Sequence, residues 1–172
     1  MRFFVEARVT MKRLLAVLAL SLSASAHAAD AVAACDIRVF PIDPDPKGTN
    51  VRSGPAADSR VAGVIASQDS ELDVTGSQGK WLRISRAEGV DGTSFFAGEG
   101  WVFAALTGVT ARSSTKLHAS PDPASPVVGS MAADEQGAVQ ACKGGWVQVQ
   151  TKKIKGWMAP NTHCGNPVTT CV

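Results

Sequence analysis

The sequence has few of the residues from which enzymes build catalytic sites. Histidine occurs three times in 172 residues, and no G-x-S-x-G elbow, phosphate-cradling glycine loop or H-E-x-x-H helix is present. Catalysis needs a nucleophile, a base and a group that orients the base. A Cys-His peptidase is the enzyme class to test, but every cysteine has an expected structural use and no separate catalytic domain fits in the chain. We therefore expect no enzyme activity and no cofactor.

Long apolar runs are also scarce. The run at residues 14–22 follows a Lys-Arg pair and precedes Ala-His-Ala, an order typical of a secretory signal peptide. The run is too short for a membrane anchor, and no later segment reaches the length of a transmembrane helix. We predict a signal peptide at residues 1–28, with usual proportions when counted from Met11 rather than Met1. The mature protein is then soluble, and either periplasmic or secreted.

A strong excess of one charge sign is missing as well. The whole chain has a formal net charge of +2, and loss of residues 1–28, with four basic residues and one acidic residue, leaves about −1. Neutralisation of phosphates by Lys and Arg supplies most of the affinity for nucleic acids. The mature chain is therefore not expected to bind nucleic acid.

The cysteines that follow the predicted cleavage site are Cys35, Cys142, Cys164 and Cys171. In an oxidising compartment an even number predicts two disulfides, and three pairings are open. The alternative is a zinc site that combines the last three cysteines with His118 or His163. Its spacing lacks the paired short hairpins of common zinc modules. We expect disulfides and no metal site.

Two further local patterns have competing interpretations. Residues 32–35 loosely fit a lipoprotein box, but His27 and Asp30 interrupt the apolar run that lipidation of Cys35 would need. Asp43 and Asp45 have a spacing that could suit calcium, but prolines stiffen their loop and Ca²⁺ needs six or more oxygen ligands. The favoured interpretations are an unlipidated Cys35 and a solvated loop.

One stretch of the chain occurs twice. Residues 50–65 align without a gap with residues 116–131, and the match continues downstream after one deletion. The aligned pairs include Val51 with Leu117, Gly63 with Gly129, Trp81 with Trp146, and Trp101 with Trp157. Self-similarity over this length predicts one small structural unit used twice.

Short alternating segments separated by turn residues predict β-strands throughout. In one of them, Trp81 and Arg83 lie on the opposite side from Leu82 and Ile84. No segment shows sustained helical periodicity with caps. The predicted fold class is all-β, and the resemblance of the repeat to a known family implies two tandem small barrels after the signal peptide. The expected divisions are an N-terminal segment with an edge strand (29–41), a first barrel (42–106), a linker (107–115), a second barrel (116–160) and a cysteine-bearing tail (161–172).

These motifs together resemble the bacterial Src-homology-3 (SH3) family, whose units are small SH3-like β-barrels. The resemblance rests on V-R-S-G-P at residues 51–55, the V-x-G step at residues 61–63, the Gly-x-Trp strand at residues 79–84 and Gly-Trp-Val at residues 100–102. The second copy departs at residues 118–120, where His-Ala-Ser replaces the usual Arg-Ser-Gly. A barrel this small buries little apolar area, so we expect tryptophan to supply much of the core. We also expect Gly63 and Gly129 where a side chain would collide.

The resemblance implies binding, commonly to peptidoglycan, to its peptide stems or to protein partners. Eukaryotic relatives bind proline-rich helices in a tyrosine-lined groove, and the absence of tyrosine argues against that mode. We expect a non-catalytic exported module that recognises peptidoglycan or a peptide in the cell envelope. The alternatives are a structural or assembly protein docked to another envelope protein, or an accessory subunit of a cell-wall hydrolase.

Candidate contact residues are Phe95 and Phe96 on the long hairpin of the first repeat, with Arg52, Arg83 and Trp101 as neighbours. A plainer interpretation has both phenylalanines packing on the second repeat and Trp101 in the core, because large apolar side chains are more often buried than exposed.

Overall fold

The computed structural model describes residues 31–166 and residue 168. This part of the chain is all-β, as predicted, with one turn of 3-10 helix at Ala104–Leu106. The first strands are β1 (Ala33–Pro41), β2 (Thr49–Arg52), β3 (Val61–Ile65), β4 (Ser70–Gln78), β5 (Trp81–Gly89) and β6 (Ser94–Phe103). They are followed by β7 (Thr107–Ala111), β8 (Thr115–His118), β9 (Val127–Met131), β10 (Gln136–Lys143), β11 (Trp146–Gln150), β12 (Lys155–Met158) and β13 (His163–Cys164).

The described strands are connected by hydrogen bonds into one antiparallel sheet. Its order is β3-β2-β6-β5-β4-β1-β7-β10-β11-β12-β8-β9, and β13 pairs with β7. The first repeat therefore occupies one end of the order and the second repeat occupies the other. Their division into two separately closed barrels stays a prediction.

The N-terminal strand β1 connects the two repeats. Ile37 and Val39 of β1 pair with β4 of the first repeat, whereas Phe40 pairs with Gly108 of β7. The expectation of an edge strand at residues 36–40 is therefore wrong. Alternation of polar and apolar residues indicates one buried face, but it does not tell how many strands lie alongside.

The expected linker, residues 107–115, contains strand β7, which pairs with β1, β10 and β13. Its small residues serve close packing rather than flexibility. A Cβ atom at Gly108 would lie 2.9 Å from Ile42 Cγ2 and 3.0 Å from Phe40 Cε2. The described part of the tail also belongs to the fold, because His163 pairs with Ala111 of β7.

The internal repeat is visible in the strand register. In the first repeat Val51 lies opposite Gly63, and a bulge separates this pair from Arg52 opposite Val61. The second repeat has the same arrangement, because Leu117 lies opposite Gly129 and a bulge precedes the pairing of residues 118 and 127. Equal register, including the bulge, places aligned residues on the same face of each unit.

The hydrophobic core is aliphatic rather than tryptophan-centred. The largest fully buried side chains are Ile65, Leu72, Leu82, Ile84, Leu117, Met131 and Met158. Trp101 is 6% exposed but does not belong to the main core cluster, and the other three tryptophans are half-buried. The predicted role of tryptophan in the core is therefore wrong for Trp81, Trp146 and Trp157, and Trp101 alone among the four is buried. Connection of both repeats through β1 and β7 lets aliphatic residues from many strands share one core, so large rings are not needed there.

The collision expected at the central glycines is confirmed. A Cβ atom at Gly63 would lie 3.0 Å from Cδ2 of Phe96. At the equivalent Gly129, a Cβ atom would overlap Cδ1 of Ile154. Each repeat thus covers its central glycine with an apolar side chain from the hairpin that precedes its last tryptophan.

The cysteines confirm the disulfide interpretation. Cys35 of β1 is bonded to Cys142 of β10, with a Cα–Cα distance of 5.8 Å and a sequence separation of 107. Cys164 is also disulfide-bonded, and Cys171 lies outside the described residues. Neither Cys142 nor Cys164 is a thiolate available to zinc, and the Cys35 sulfur that a lipid would modify is already bonded.

The solvated loop expected between β1 and β2 is confirmed at residues 44–47, which are exposed, but is wrong for Asp43, which is 8% exposed. Asp43 Oδ1 accepts a hydrogen bond from the N–H of Asp45 at 3.0 Å, and Asp45 Oδ1 accepts one from the N–H of Lys47 at 2.9 Å. Both carboxylates therefore stabilise local turns.

The predicted signal peptide, residues 1–28, lies outside the described residues. In the part of the chain that is described, no helix has the length and apolar character needed to cross a bilayer.

Candidate functional site

Arg52 of β2 and Arg83 of β5 each lie opposite Trp101 of β6. Residues that are directly opposite in an antiparallel pair extend from the same face of a sheet. The neighbouring residues Val51, Leu82 and Val102 are fully buried on the other face. The outer face of the first repeat therefore carries an arginine–tryptophan–arginine row.

Hydrogen bonds fix both guanidinium groups. Arg52 Nη1 donates to the carbonyl oxygen of Ser59 at 2.8 Å. Arg83 Nε donates to Thr75 Oγ1 at 3.3 Å, and its Nη1 lies 3.5 Å from Glu99 Oε2. A guanidinium has five N–H donors, so each group is held in place and keeps donors for a ligand.

A surface cavity of about 240 Å³ opens beside Arg52. Its walls are Asn50, Arg52, Ala57, Trp81, Phe103 and Leu106. The rings of Trp81 and Phe103 meet edge to face, with centroids 5.5 Å apart and an interplanar angle of 72°. We call this cavity and its walls the aromatic cleft. Its volume is below the roughly 300–1,000 Å³ of pockets for drug-sized ligands, so it suits one or two units of a polymer.

The aromatic cleft has the chemistry of a recognition site. A larger cavity of about 380 Å³ is lined by Phe40, Pro41, Ile42, Gln68, Asp69 and Gln136. Its lining contains a single aromatic residue, Phe40, and does not contain a cationic side chain. Recognition of a short polymer segment is better served by facing aromatic rings with a charged group at the edge.

The structure separates the five predicted contact residues into two groups. Arg52, Arg83 and Trp101 lie together on the outer face, although Trp101 is only 6% exposed. Phe95 and Phe96 are half-buried and pack against the core. A Cβ atom at Gly100 would lie 2.7 Å from Phe96 Cζ, and one at Gly89 would lie 3.2 Å from Phe95 Cε2. Both phenylalanines thus contact glycines of the first repeat.

Trp81, Phe103 and Asn50 line the cleft but were not among the predicted contact residues. The sequence signal for Trp81 was present, because alternation along β5 places it on the same side as Arg83. Phe103 follows Trp101 by two residues and so shares its face. The pairing of Trp81 with Phe103 could not be read from the sequence, because it depends on the register of β5 and β6.

Comparison with known sequences identifies the segment that carries this site. Residues 47–107 match the bacterial SH3 domain family. This segment is a bacterial SH3 domain. All six residues that line the aromatic cleft lie inside it.

Comparisons over the whole chain give weaker similarities. The structure of NlpC2 from Trichomonas vaginalis is 9% identical with a TM-score of 0.31, and the similarity covers 75% of this chain and 47% of that one. NlpC1 from the same organism is 8% identical with a TM-score of 0.32, and covers 78% and 48%. This chain thus spans about half the length of either protein. No curated protein matches significantly.

The second repeat has a face that is equivalent to the face of the SH3 domain but carries different chemistry. Position 52 of the SH3 domain corresponds to His118, whose Nδ1 lies 3.2 Å from the carbonyl oxygen of Ser125. A carbonyl only accepts, so Nδ1 carries the proton in this contact. The His118 ring meets Trp146 edge to face, with centroids 5.5 Å apart. Ser59 and Ser125 are aligned, so the same backbone contact is made by arginine in one repeat and by histidine in the other.

Proposed function

We propose that this protein is a non-catalytic binding module of the bacterial cell envelope. On this proposal, its SH3 domain recognises peptidoglycan, or a peptide such as a stem, through the aromatic cleft. The observation that carries the proposal is the cleft itself, in which Trp81 and Phe103 meet edge to face beside Arg52. Aromatic faces bind apolar parts of a ligand, and a fixed guanidinium binds a carboxylate. A peptide stem offers both an apolar part and a carboxylate.

The disulfide between Cys35 and Cys142 supports a location outside the cytoplasm. Such bonds persist in oxidising compartments and are rare where thiols are kept reduced. The envelope is such a compartment, and the predicted signal peptide is consistent with export to it.

Chemistry at the cysteines supports a binding role rather than hydrolysis. A Cys-His peptidase needs a free thiolate beside its histidine. Cys35, Cys142 and Cys164 are each consumed in a disulfide. His163 is hydrogen-bonded through Nε2 to the Gly145 carbonyl oxygen at 3.0 Å.

Co-sedimentation of the purified chain with isolated peptidoglycan sacculi tests the proposal. We expect Arg52→Ala and Trp81→Phe to weaken binding, with at least about tenfold lower affinity for the arginine variant, because truncation of an arginine that is a binding hot spot costs about 2 kcal/mol or more. Arg60→Ala and Val90→Ala change exposed residues outside the cleft and serve as matched controls. Circular dichroism verifies the fold of each variant.

Two results would contradict the proposal. Wild-type protein that stays in the supernatant would exclude peptidoglycan, and a specific partner in a pull-down would then favour a structural or assembly protein. Binding that Arg52→Ala and Trp81→Phe leave unchanged would place the peptidoglycan site elsewhere.

A further inference from the structure

A cluster of unpaired lysines surrounds the last strand of the sheet. Lys116, Lys152, Lys153 and Lys155 are all exposed. The five ion pairs found within the described residues involve Arg38, Arg83 and Arg86, and none involves these lysines. We call the four lysines, together with Val127 and Val128 of β9, the lysine edge.

Contacts across the second repeat bring the lysines to β9. Ile154 lies in the turn between β11 and β12, and its Cδ1 occupies the space above Gly129 of β9. Lys153 and Lys155 are the immediate neighbours of Ile154 in the chain. Lys116 lies opposite Ser130 in the β8–β9 pair. The positive charges therefore flank one short strand.

Strand β9 has an open edge. It is the last strand in the sheet order and pairs with β8 alone among the described strands. Val127 is 51% exposed and Val128 is 43% exposed. Unpaired N–H and C=O groups along such an edge are a template for another strand.

The fold does not require these lysines. The equivalent strand β3 of the SH3 domain also ends the sheet and exposes Val61 and Val64, at 42% and 40%. The hairpin beside it carries Glu88, Asp91 and Glu99, and its Arg86 is already paired with Asp73 and Glu88. Two units with the same register thus differ in the charge of the hairpin beside their open edge.

We propose that the lysine edge binds an acidic, extended polypeptide segment of a partner protein, which adds to β9 as a further strand. Backbone groups of β9 form the hydrogen bonds, Val127 and Val128 contact apolar side chains of the segment, and the lysines pair with its carboxylates. A polypeptide fits better than a membrane surface. Insertion of an open strand edge into hydrocarbon would leave its backbone groups without partners.

Binding of fluorescein-labelled poly-L-glutamate, measured by anisotropy, tests the charge requirement. We expect the triple variant Lys152→Gln, Lys153→Gln, Lys155→Gln to bind about tenfold more weakly, since each exposed pair contributes up to roughly 1 kcal/mol. The matched control is Lys47→Gln, Lys80→Gln, Lys143→Gln. It removes the same charge from exposed lysines outside the lysine edge and is expected to bind within about threefold of wild type.

Hydrogen–deuterium exchange tests the strand addition. Bound poly-L-glutamate is expected to slow amide exchange in β9 and to leave exchange in β3 unchanged. Unchanged exchange in β9, or equal losses of affinity in the two triple variants, would overturn the proposal.

Two further measurements distinguish a polypeptide segment from the other possible occupants of the lysine edge, a membrane and a second copy of the chain. If the lysine edge triple variant lost binding to vesicles of anionic lipid but not to poly-L-glutamate, the occupant would be a membrane and the proposal would be wrong. Concentration-dependent dimers in analytical ultracentrifugation that disappear in the same variant would assign the edge to a second copy of the chain, which also overturns it. Neither result bears on the aromatic cleft, which lies in the other repeat.

Discussion

Cys35 and Cys142 are joined by a disulfide across 107 residues of sequence, and the bond connects β1 to the second repeat. Beside the bond, the N–H of Asp36 donates to the Gly144 carbonyl oxygen at 3.0 Å and the N–H of Gly144 donates to the Ala34 carbonyl oxygen at 2.7 Å. Because β1 also pairs with β4, one N-terminal strand contacts both repeats.

Replacement of this disulfide is expected to destabilise the protein strongly. A cross-link that closes a loop of this length stabilises by about 3–5 kcal/mol, mainly by restricting the unfolded chain. We expect Cys35→Ala, Cys142→Ala to lower the free energy of unfolding by that amount in urea titrations without reductant. In dithiothreitol the variant and the wild type should converge. A large difference that persists in reductant would show that the substitutions act through packing instead.

Peptide mapping without reductant is expected to recover a Cys35 peptide bonded to a Cys142 peptide. The same sulfur atom cannot also carry a lipid thioether. Recovery of Cys35 with a diacylglyceryl mass would contradict both the disulfide and the predicted soluble, exported form.

Gly63→Ala is expected to reduce stability by about 1 kcal/mol, because the added methyl group meets the Phe96 ring in a close-packed site. No neighbour other than Phe96 lies within 4 Å of the new atom. In a Phe96→Ala background the same substitution should therefore cost almost nothing. A double-mutant cycle from urea unfolding measures this coupling. Equal costs in both backgrounds would show that Gly63 is needed for its backbone conformation instead.

Position 118 is expected to accept arginine. Arg52 makes the equivalent contact to the Ser59 carbonyl oxygen in the SH3 domain, so His118→Arg can retain the contact to Ser125. We expect its free energy of unfolding to stay within about 0.5 kcal/mol of wild type. His118→Ala loses the hydrogen bond and should cost about 1 kcal/mol. If His118→Arg were as unstable as His118→Ala, the two faces would not be interchangeable.

His163 is expected to make the protein less stable in mild acid. Burial lowers the pKa of His163 below its ordinary value, and the positive charge of Arg112 adds to this effect, although the Gly145 hydrogen bond opposes it. The unfolded chain then binds more protons than the native state as pH falls through about 6.5. The contribution of neutral His163 to the free energy of unfolding is fully present above this pH and is lost progressively below it. We expect the urea midpoint of His163→Gln to vary less with pH than that of the wild type between about pH 5 and pH 7. An equal dependence on pH in the two proteins would contradict this assignment.

Residue patterns predicted the strands but not their neighbours. Alternation at Leu82 and Ile84 correctly indicated a buried face. The same reasoning treated residues 107–115 as a linker, because small and polar residues are typical both of flexible segments and of strands that pack tightly. Only the space around Gly108 distinguishes the two.

The candidate site was also only partly predictable. Of the predicted contact residues, Arg52 lines the aromatic cleft, and its role in binding stays a prediction. The contact of Trp81 with Phe103 needs the register between two strands, and the position of Phe96 over Gly63 needs the path of a hairpin. Neither the register between the two strands nor the path of the hairpin can be read from the sequence.

The sequence by itself determined that this chain is all-β, that a unit is repeated, and that its cysteines form disulfides, because local periodicity, self-similarity and residue chemistry do not depend on distant contacts. Tertiary structure decided that Cys35 pairs with Cys142, that β1 lies between the repeats, and that aliphatic residues rather than tryptophans fill the core. It also decided which lysines gather around β9. These features depend on pairing between residues far apart in the chain, and many pairings satisfy the same local pattern.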